Sequence, residues 1–316
     1  MMATRVRVYG KLRSGPEYMG TLSLDEQDFS EWLDRATGYA YMEGKEKWQR
    51  GYETGTTHAF LFRPRDRREK LITGVFAPSI DSVGRTYPLM MVTTLREDIL
   101  GSGLPYLPVA GERFFVHAGE AVREARTAAS LTPAISVAST LEAPNGPQID
   151  NIKNDFANWQ TIRGQLPRLW EALFPSRGPD SALRVLEALV HAGHALRRAD
   201  SDERRYVRLP LGTGGAAATA FWLRTLACTM GTEAAITVAA WSLEPHGSLM
   251  VALGSEPPAD FWLRLWLVEC RDSLLIDACA MIIPDAAEGT SAHPELPRIT
   301  HSNDATIGDL LGALVP

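Results

Sequence analysis

At 316 residues, with 45% hydrophobic and 22% charged residues, the chain has the composition of a soluble globular protein of two domains, or of one domain with a large extension. Its net charge of −6 argues against a general nucleic-acid or acidic-membrane binder, which would carry a basic surplus or stripe. Cys228, Cys270 and Cys279 show no CxxC spacing, so a disulfide framework is not expected and a reducing compartment fits better.

The charge is unevenly spread. Residues 1–127 hold 18 Lys/Arg against 17 Asp/Glu, which leaves 14 against 21 for residues 128–316. A charged partner of the second half would therefore be basic. The N-terminus has no long apolar core of a secretory signal, and no run of 18 apolar residues occurs, so the expected location is cytoplasmic.

Alternation of polar and apolar residues predicts a strand over Arg5 to Tyr9, followed by a turn from Lys11 to Pro16. Leu24 to Gly38 reads as a helix, with Phe29, Trp32, Leu33 and Ala36 at helical spacing, and Glu43 to Tyr52 continues that layer. His58 to Phe62, Leu71 to Ala77 and Tyr87 to Leu95 read as strands. Gly111 to Ala129 reads as a helix. Pro133, Pro144, Asn145, Gly146 and Pro147 mark residues 130–150 as a connector. Helices are expected over Asn151 to Leu173 and Asp180 to Arg198, with a solvated charged loop after the second. A second β/α unit then begins. Its strands are Tyr206 to Leu211, Ala235 to Leu243 and Ser248 to Leu253, and its helices Ala216 to Met230 and Pro257 to Val268. Leu274 to Ile283 is a buried strand or helix, residues 286–297 are Pro/Ser/Gly-rich, and Ile307 to Val315 is a short amphipathic helix. The pattern predicts an α/β fold, with a mixed β-sheet covered by helices, a second smaller α/β lobe and helical additions. The expected boundaries are 1–129 for an α/β domain, 130–150 for a linker, 151–205 for a helical insertion, and 206–316 for the C-terminal lobe and tail.

Few residues stand out for chemistry. Gly10-Lys11 after the first strand suits a phosphate-holding turn, yet the GxxxxGK[ST] spacing is absent, and a strand-ending turn with glycine at positive φ explains it as well. His191 and His194 sit three apart on a helix, without the further ligands a metal site needs, so no metal or cofactor is expected. No serine lies in a GxSxG elbow, and Glu17 and Asp81 form no recognisable catalytic dyad. The informative stretch is Pro78-Ser79-Ile80-Asp81-Ser82-Val83-Gly84-Arg85-Thr86-Tyr87-Pro88-Leu89. Asp81 is placed to cap loop amides, Gly84 to turn the chain, Arg85 to close the loop on Asp81, and Tyr87-Pro88 to enter the next strand extended. These residues either staple the loop or present a polar surface to a partner.

The same residues carry a family resemblance. Tyr9-Gly10-Lys11-Leu12 and Gly15-Pro16-Glu17-Tyr18 resemble the GKLPxxGDF opening of the TagF/ImpM proteins of type VI secretion. Gly74 to Ser79 follows in family order, and Asp81 to Leu89 resembles the family's DxVGRxFPL. Arg13 replaces the usual Pro, Glu17 the usual Asp, and Tyr18 and Tyr87 the usual Phe. The close resemblance covers about residues 6–125, with a weaker one from Ala220 to Leu223 and from Pro257 to Trp262. It implies an α/β fold, a cytoplasmic location and post-translational repression of type VI secretion through a forkhead-associated (FHA) scaffold protein, with no established catalysis. Lys11, Glu17, Ser79, Asp81, Gly84 and Arg85 are the expected partner-binding or loop-stabilising residues. The competing expectations are an enzyme or nucleotide-binding switch in the same pathway, and a structural secretion component.

Overall fold

The computed structural model describes residues 5–64, 69–96, 101–162, 164–175, 177–198, 205–230, 236–267, 275–279 and 294–314. Among the described residues nine strands form one sheet: β1 (Arg7–Gly10), β2 (Met19–Gly20), β3 (His58–Phe62), β4 (Lys70–Ala77), β5 (Leu89–Arg96), β6 (Arg205–Pro210), β7 (Ile236–Ser242), β8 (Ser248–Leu253) and β9 (Leu275–Asp277). Their order is β2-β1-β5-β4-β3-β7-β8-β6-β9. Every pairing is antiparallel except β6 with β9, so the sheet is mixed as expected. The strands of both sequence halves belong to this sheet, because β3 pairs with β7 over His58↔Ser242 to Phe62↔Val238.

Successive strand residues face opposite sides, and both sides are buried. On one side Phe60, Ile72, Phe76, Met90, Val238 and Met250 meet the long helix α1 (Gln27–Glu53) and the short α9 (Phe261–Trp266). On the other, Leu61, Val75, Met91, Trp241 and Val251 meet α3 (Glu112–Ala128), α4 (Thr132–Ala138), α6 (Leu166–Leu173), α7 (Gly178–Arg198) and α8 (Gly215–Met230). The remaining helices are α2 (Leu107–Ala110), α5 (Gly146–Ile162), α10 (Leu296–Thr300) and α11 (Ile307–Leu314).

The α1 stripe Phe29, Trp32, Leu33, Ala36, Ala40 follows helical spacing and is buried throughout. The Glu26 carboxylate accepts from the Ser23 backbone N–H at 2.6 Å and pairs with Arg7 Nε at 3.3 Å, which ties the helix entry to β1. The helix breaks at Lys45 (φ 46°, ψ −136°) and resumes with Trp48 and Tyr52 buried.

The expected connector at 130–150 contains structure of its own. Pro133 lies at the start of α4, and Asn145 exchanges backbone-to-side-chain bonds with Gln148 at 3.1 Å each, which starts α5 at Gly146. The expected helix from Asn151 to Leu173 is two helices, with Pro167 in the first turn of α6. A proline lacks the N–H needed inside a helix but fits its first turn. The helix expected from Pro257 starts only at Phe261. Leu275–Asp277 settles the first part of the ambiguous apolar run as strand, and residues 280–283 lie outside the described residues, as does the 199–204 loop.

The registers bring several connections to one end of the sheet: the turn after β1, the β4–β5 loop at 78–88, the β7–β8 turn, and the C-terminal ends of β6 and β9.

The α1–α9 contact depends on close backbone approach. A Cβ added at Gly55 would fall 2.1 Å from the Trp266 ring, and one at Gly51 would fall 2.4 Å from the Trp266 carbonyl oxygen. Gly55→Ala is therefore expected to destabilise the chain by about 1–3 kcal/mol through overpacking, read as a lower urea midpoint.

Candidate functional site

The β4–β5 loop is built around the carboxylate of Asp81. Its Oδ1 accepts from the backbone N–H groups of Val83 at 3.0 Å and Arg85 at 2.8 Å, the Asx-type capping that the sequence suggests. Its Oδ2 accepts from Arg85 Nε at 2.7 Å and from Lys11 Nζ at 3.1 Å. The Asp81 side chain is fully buried, and Lys11 is nearly so. Burial alone would raise the Asp81 pKa. The Arg85 backbone N–H and guanidinium, the Lys11 ammonium and the Val83 N–H outweigh it and hold the carboxyl well below the usual carboxylate range.

The backbone closes around that charge. Asp81 N–H donates to Arg85 O at 3.0 Å, Gly84 N–H to Asp81 O at 3.1 Å, and Tyr87 N–H to Ser79 O at 3.1 Å. Gly84 has φ 87°, the left-handed region that glycine enters without a Cβ clash. The Arg85 guanidinium also donates to Pro16 O, and Ser82 N–H donates to Gly15 O at 3.2 Å, which fastens the loop to the turn after β1.

Ser79 forms the inner hinge. Its hydroxyl donates to Lys11 O at 2.7 Å, its N–H donates to the Tyr52 hydroxyl at 3.0 Å, and that hydroxyl donates to Ser79 O at 3.2 Å. Arg126 on α3 donates to Pro78 O at 3.0 Å. Loop, first turn, α1 and α3 are thereby joined.

Five of the six expected residues, Lys11, Ser79, Asp81, Gly84 and Arg85, meet in this cage. Glu17 is exposed and takes no part in its ion pairs. The partnership of Lys11 with Asp81, 70 positions apart, was not readable from spacing, nor were the anchors Tyr52 and Arg126. The aromatic cover was also missed. Tyr18 stacks on Tyr9 at 5.5 Å, meets Tyr87 edge-on at 4.8 Å, and lies 4.6 Å from Lys11 Nζ. Burial and the nearby Asp34 push the Tyr18 hydroxyl up to about 12, so it stays protonated.

The outer surface carries different groups. Val83 is 66% exposed at the loop tip, the Arg85 side chain 58% and Tyr18 45%. His191 and His194 lie on α7, and no group of three or more His, Cys, Asp or Glu positioned for a metal occurs among the described residues. No helix among them is long and apolar enough to cross a membrane. Cys228 and Cys279 are free thiols, and Cys270 lies outside the described residues.

Asp81→Asn removes a charge shared by the buried Lys11 ammonium and the exposed Arg85 guanidinium. It is expected to cost roughly 3 kcal/mol, because the Lys11 ammonium is left buried without a counter-charge. A depressed carboxylate pKa stabilises the fold above the ordinary carboxylate pKa, and that stability is lost as pH falls toward the folded value. Urea midpoints measured from pH 7 down to 3 should therefore fall less steeply below pH 4 in Asp81→Asn than in the parent chain.

Residues 8–140 match the model of the TagF N-terminal domain, type VI secretion system-associated. Among solved structures, the chain is similar to PA0076 from Pseudomonas aeruginosa PAO1, at 19% identity and a TM-score of 0.45, over 84% of this chain and 96% of that one. No curated protein matches the sequence. The matched span contains both the Asp81 cage and the turn that supplies Lys11, so the site lies within the part of the chain that matches the TagF N-terminal domain.

Proposed function

We propose that this chain is a cytoplasmic post-translational repressor of type VI secretion that acts by binding another protein, with an FHA-domain scaffold as the partner. The observation that carries the reading is the contrast within the loop. The interior is fixed by charge-assisted hydrogen bonds, and the exterior presents Val83, Arg85 and Tyr18 to solvent. Tyrosine and arginine are enriched in protein interfaces, and a pre-ordered loop loses little conformational entropy on docking.

The same contrast weighs against acid–base chemistry at this locus. A general base needs a carboxylate that can take up a proton near the working pH. Asp81 is held far below that range by four donors, and Glu17 lies outside the cage.

Deletion of the protein is expected to raise secretion, and Val83→Glu should reproduce that gain. Val83→Glu should also weaken co-precipitation with the FHA scaffold by tenfold or more, about 1.4 kcal/mol, with an unchanged melting temperature because Val83 faces solvent. Loss of secretion on deletion would instead assign a structural role in the apparatus, and wild-type binding by Val83→Glu would remove this loop from the interface.

A further inference from the structure

A cleft of about 530 Å³ opens between the C-terminal ends of β6 and β9, the β7–β8 turn and the passage from α6 to α7. It lies at the same end of the sheet as the Asp81 loop, with β3, β7 and β8 between the two positions in strand order. One part of its wall is apolar, formed by Leu173, Phe174, Pro210 and Leu265. The other holds charge. Arg208 on β6 is buried, with Nη1 donating to Asp277 Oδ2 at 3.2 Å and Nη2 donating to the Arg264 carbonyl oxygen. Two acceptors thus fix the guanidinium. Arg177 is exposed on the far side, anchored by one bond from Nη1 to Cys279 O at 3.1 Å.

The described lining therefore sets two arginines against one carboxylate, in the half of the chain with the acidic surplus. Burial, reinforced by Asp277, pushes the Cys279 thiol up to about 12 against the opposing pull of Arg208 and Arg177, so it adds no negative charge. The floor is held in place. His246 N–H donates to Gly212 O at 2.8 Å and Leu211 N–H to Gly247 O at 3.0 Å. His246 itself adopts φ 58°, uncommon for a residue other than glycine, and strain of this kind persists where the surroundings over-determine it. The volume falls in the usual range of small-molecule sites, roughly 300–1,000 Å³, and exceeds the needs of a bare inorganic ion.

We propose that this cleft binds a small organic anion, a phosphate or carboxylate carried on an apolar or aromatic body. Arg177 closes on the anionic group, Arg208 supplies a fixed positive charge beneath it, and the Phe174–Leu265 wall takes the body. Arginine suits both anions because its planar fork donates two parallel hydrogen bonds to either.

Isothermal titration of the full chain at constant ionic strength tests this with AMP, phenylacetate and adenosine. The expected result is saturable binding of AMP or phenylacetate, at least tenfold tighter than adenosine. AMP alone assigns a phosphate ligand, phenylacetate alone a carboxylate, and both the anionic group in general. Arg177→Ala should weaken the bound anion at least tenfold without lowering the melting temperature, and Arg177→Lys should recover part of the loss. Neither anion binding more tightly than adenosine would overturn the proposal, as would unchanged affinity in Arg177→Ala. Val83→Glu should bind the anion like the parent chain, so a failed interface at the Asp81 loop and an empty cleft give separate results.

Discussion

The five-residue antiparallel ladder between β3 and β7 is the contact on which the rest of the architecture rests. It joins strands nearly two hundred positions apart, and by doing so makes one sheet of strands from both ends of the chain. Each side of that sheet then needs its own apolar cover. Phe60 and Phe62 of β3 alternate with Ala59 and Leu61, and Val238 and Ala240 of β7 alternate with Ala239 and Trp241. A slip of one residue in the ladder would exchange the partners of both layers, so burial on both sides fixes the register strongly. Because β4 pairs with β3 and β8 with β7, the ladder also sets where the β4–β5 loop and the β7–β8 turn emerge.

Local pattern was a good guide where local forces decide. The helices at Phe29 and Phe114 bury the face that their spacing marks, whereas the strands at His58, Leu71 and Ser248 are buried on both sides and the helix at Phe221 nearly all round, so their apolar content is the signal. Proline was the weak guide. Pro133, Pro147 and Pro167 carry the same signal of interruption, yet each stands in a first helical turn. Breaking one helix and starting another are the same physical statement about a missing N–H, and sequence order alone does not say which applies. Strand neighbours were not legible either. Nothing local to His58 announces Ser242 as its partner, because that pairing depends on the packing of both halves.

The Asp81 loop shows the same division within a dozen residues. Capping by Asp81, the left-handed Gly84 and the closure by Arg85 are local, and all three were readable. Lys11, Tyr52 and Arg126 are distant, and they decide how the loop is oriented. The choice between a stapled connection and a presented surface also resolves by side chain rather than by segment. Asp81, Ser79 and Lys11 face inward and hold the geometry, whereas Val83 and Arg85 carry the exposed area. A matched sequence signature in such a loop records mainly the cage, and the groups available to a partner are those the cage leaves outside.

The cleft beside Arg208 was invisible to motif reading for a related reason. Its charged residues come from β6, β9 and the start of α7, at positions 208, 277 and 177, and no short spacing connects them. The buried Arg208–Asp277 pair does not need a ligand to exist, since each charge neutralises the other. It does carry a desolvation cost that an apolar pair would avoid. Arg177 turns that pair into more than a structural contact. Among the described residues the lining sets two guanidinium groups against one carboxylate, and the Arg177 side chain makes one hydrogen bond, to a carbonyl. An anion entering along the apolar wall would give Arg177 a second acceptor without disturbing the fixed pair beneath.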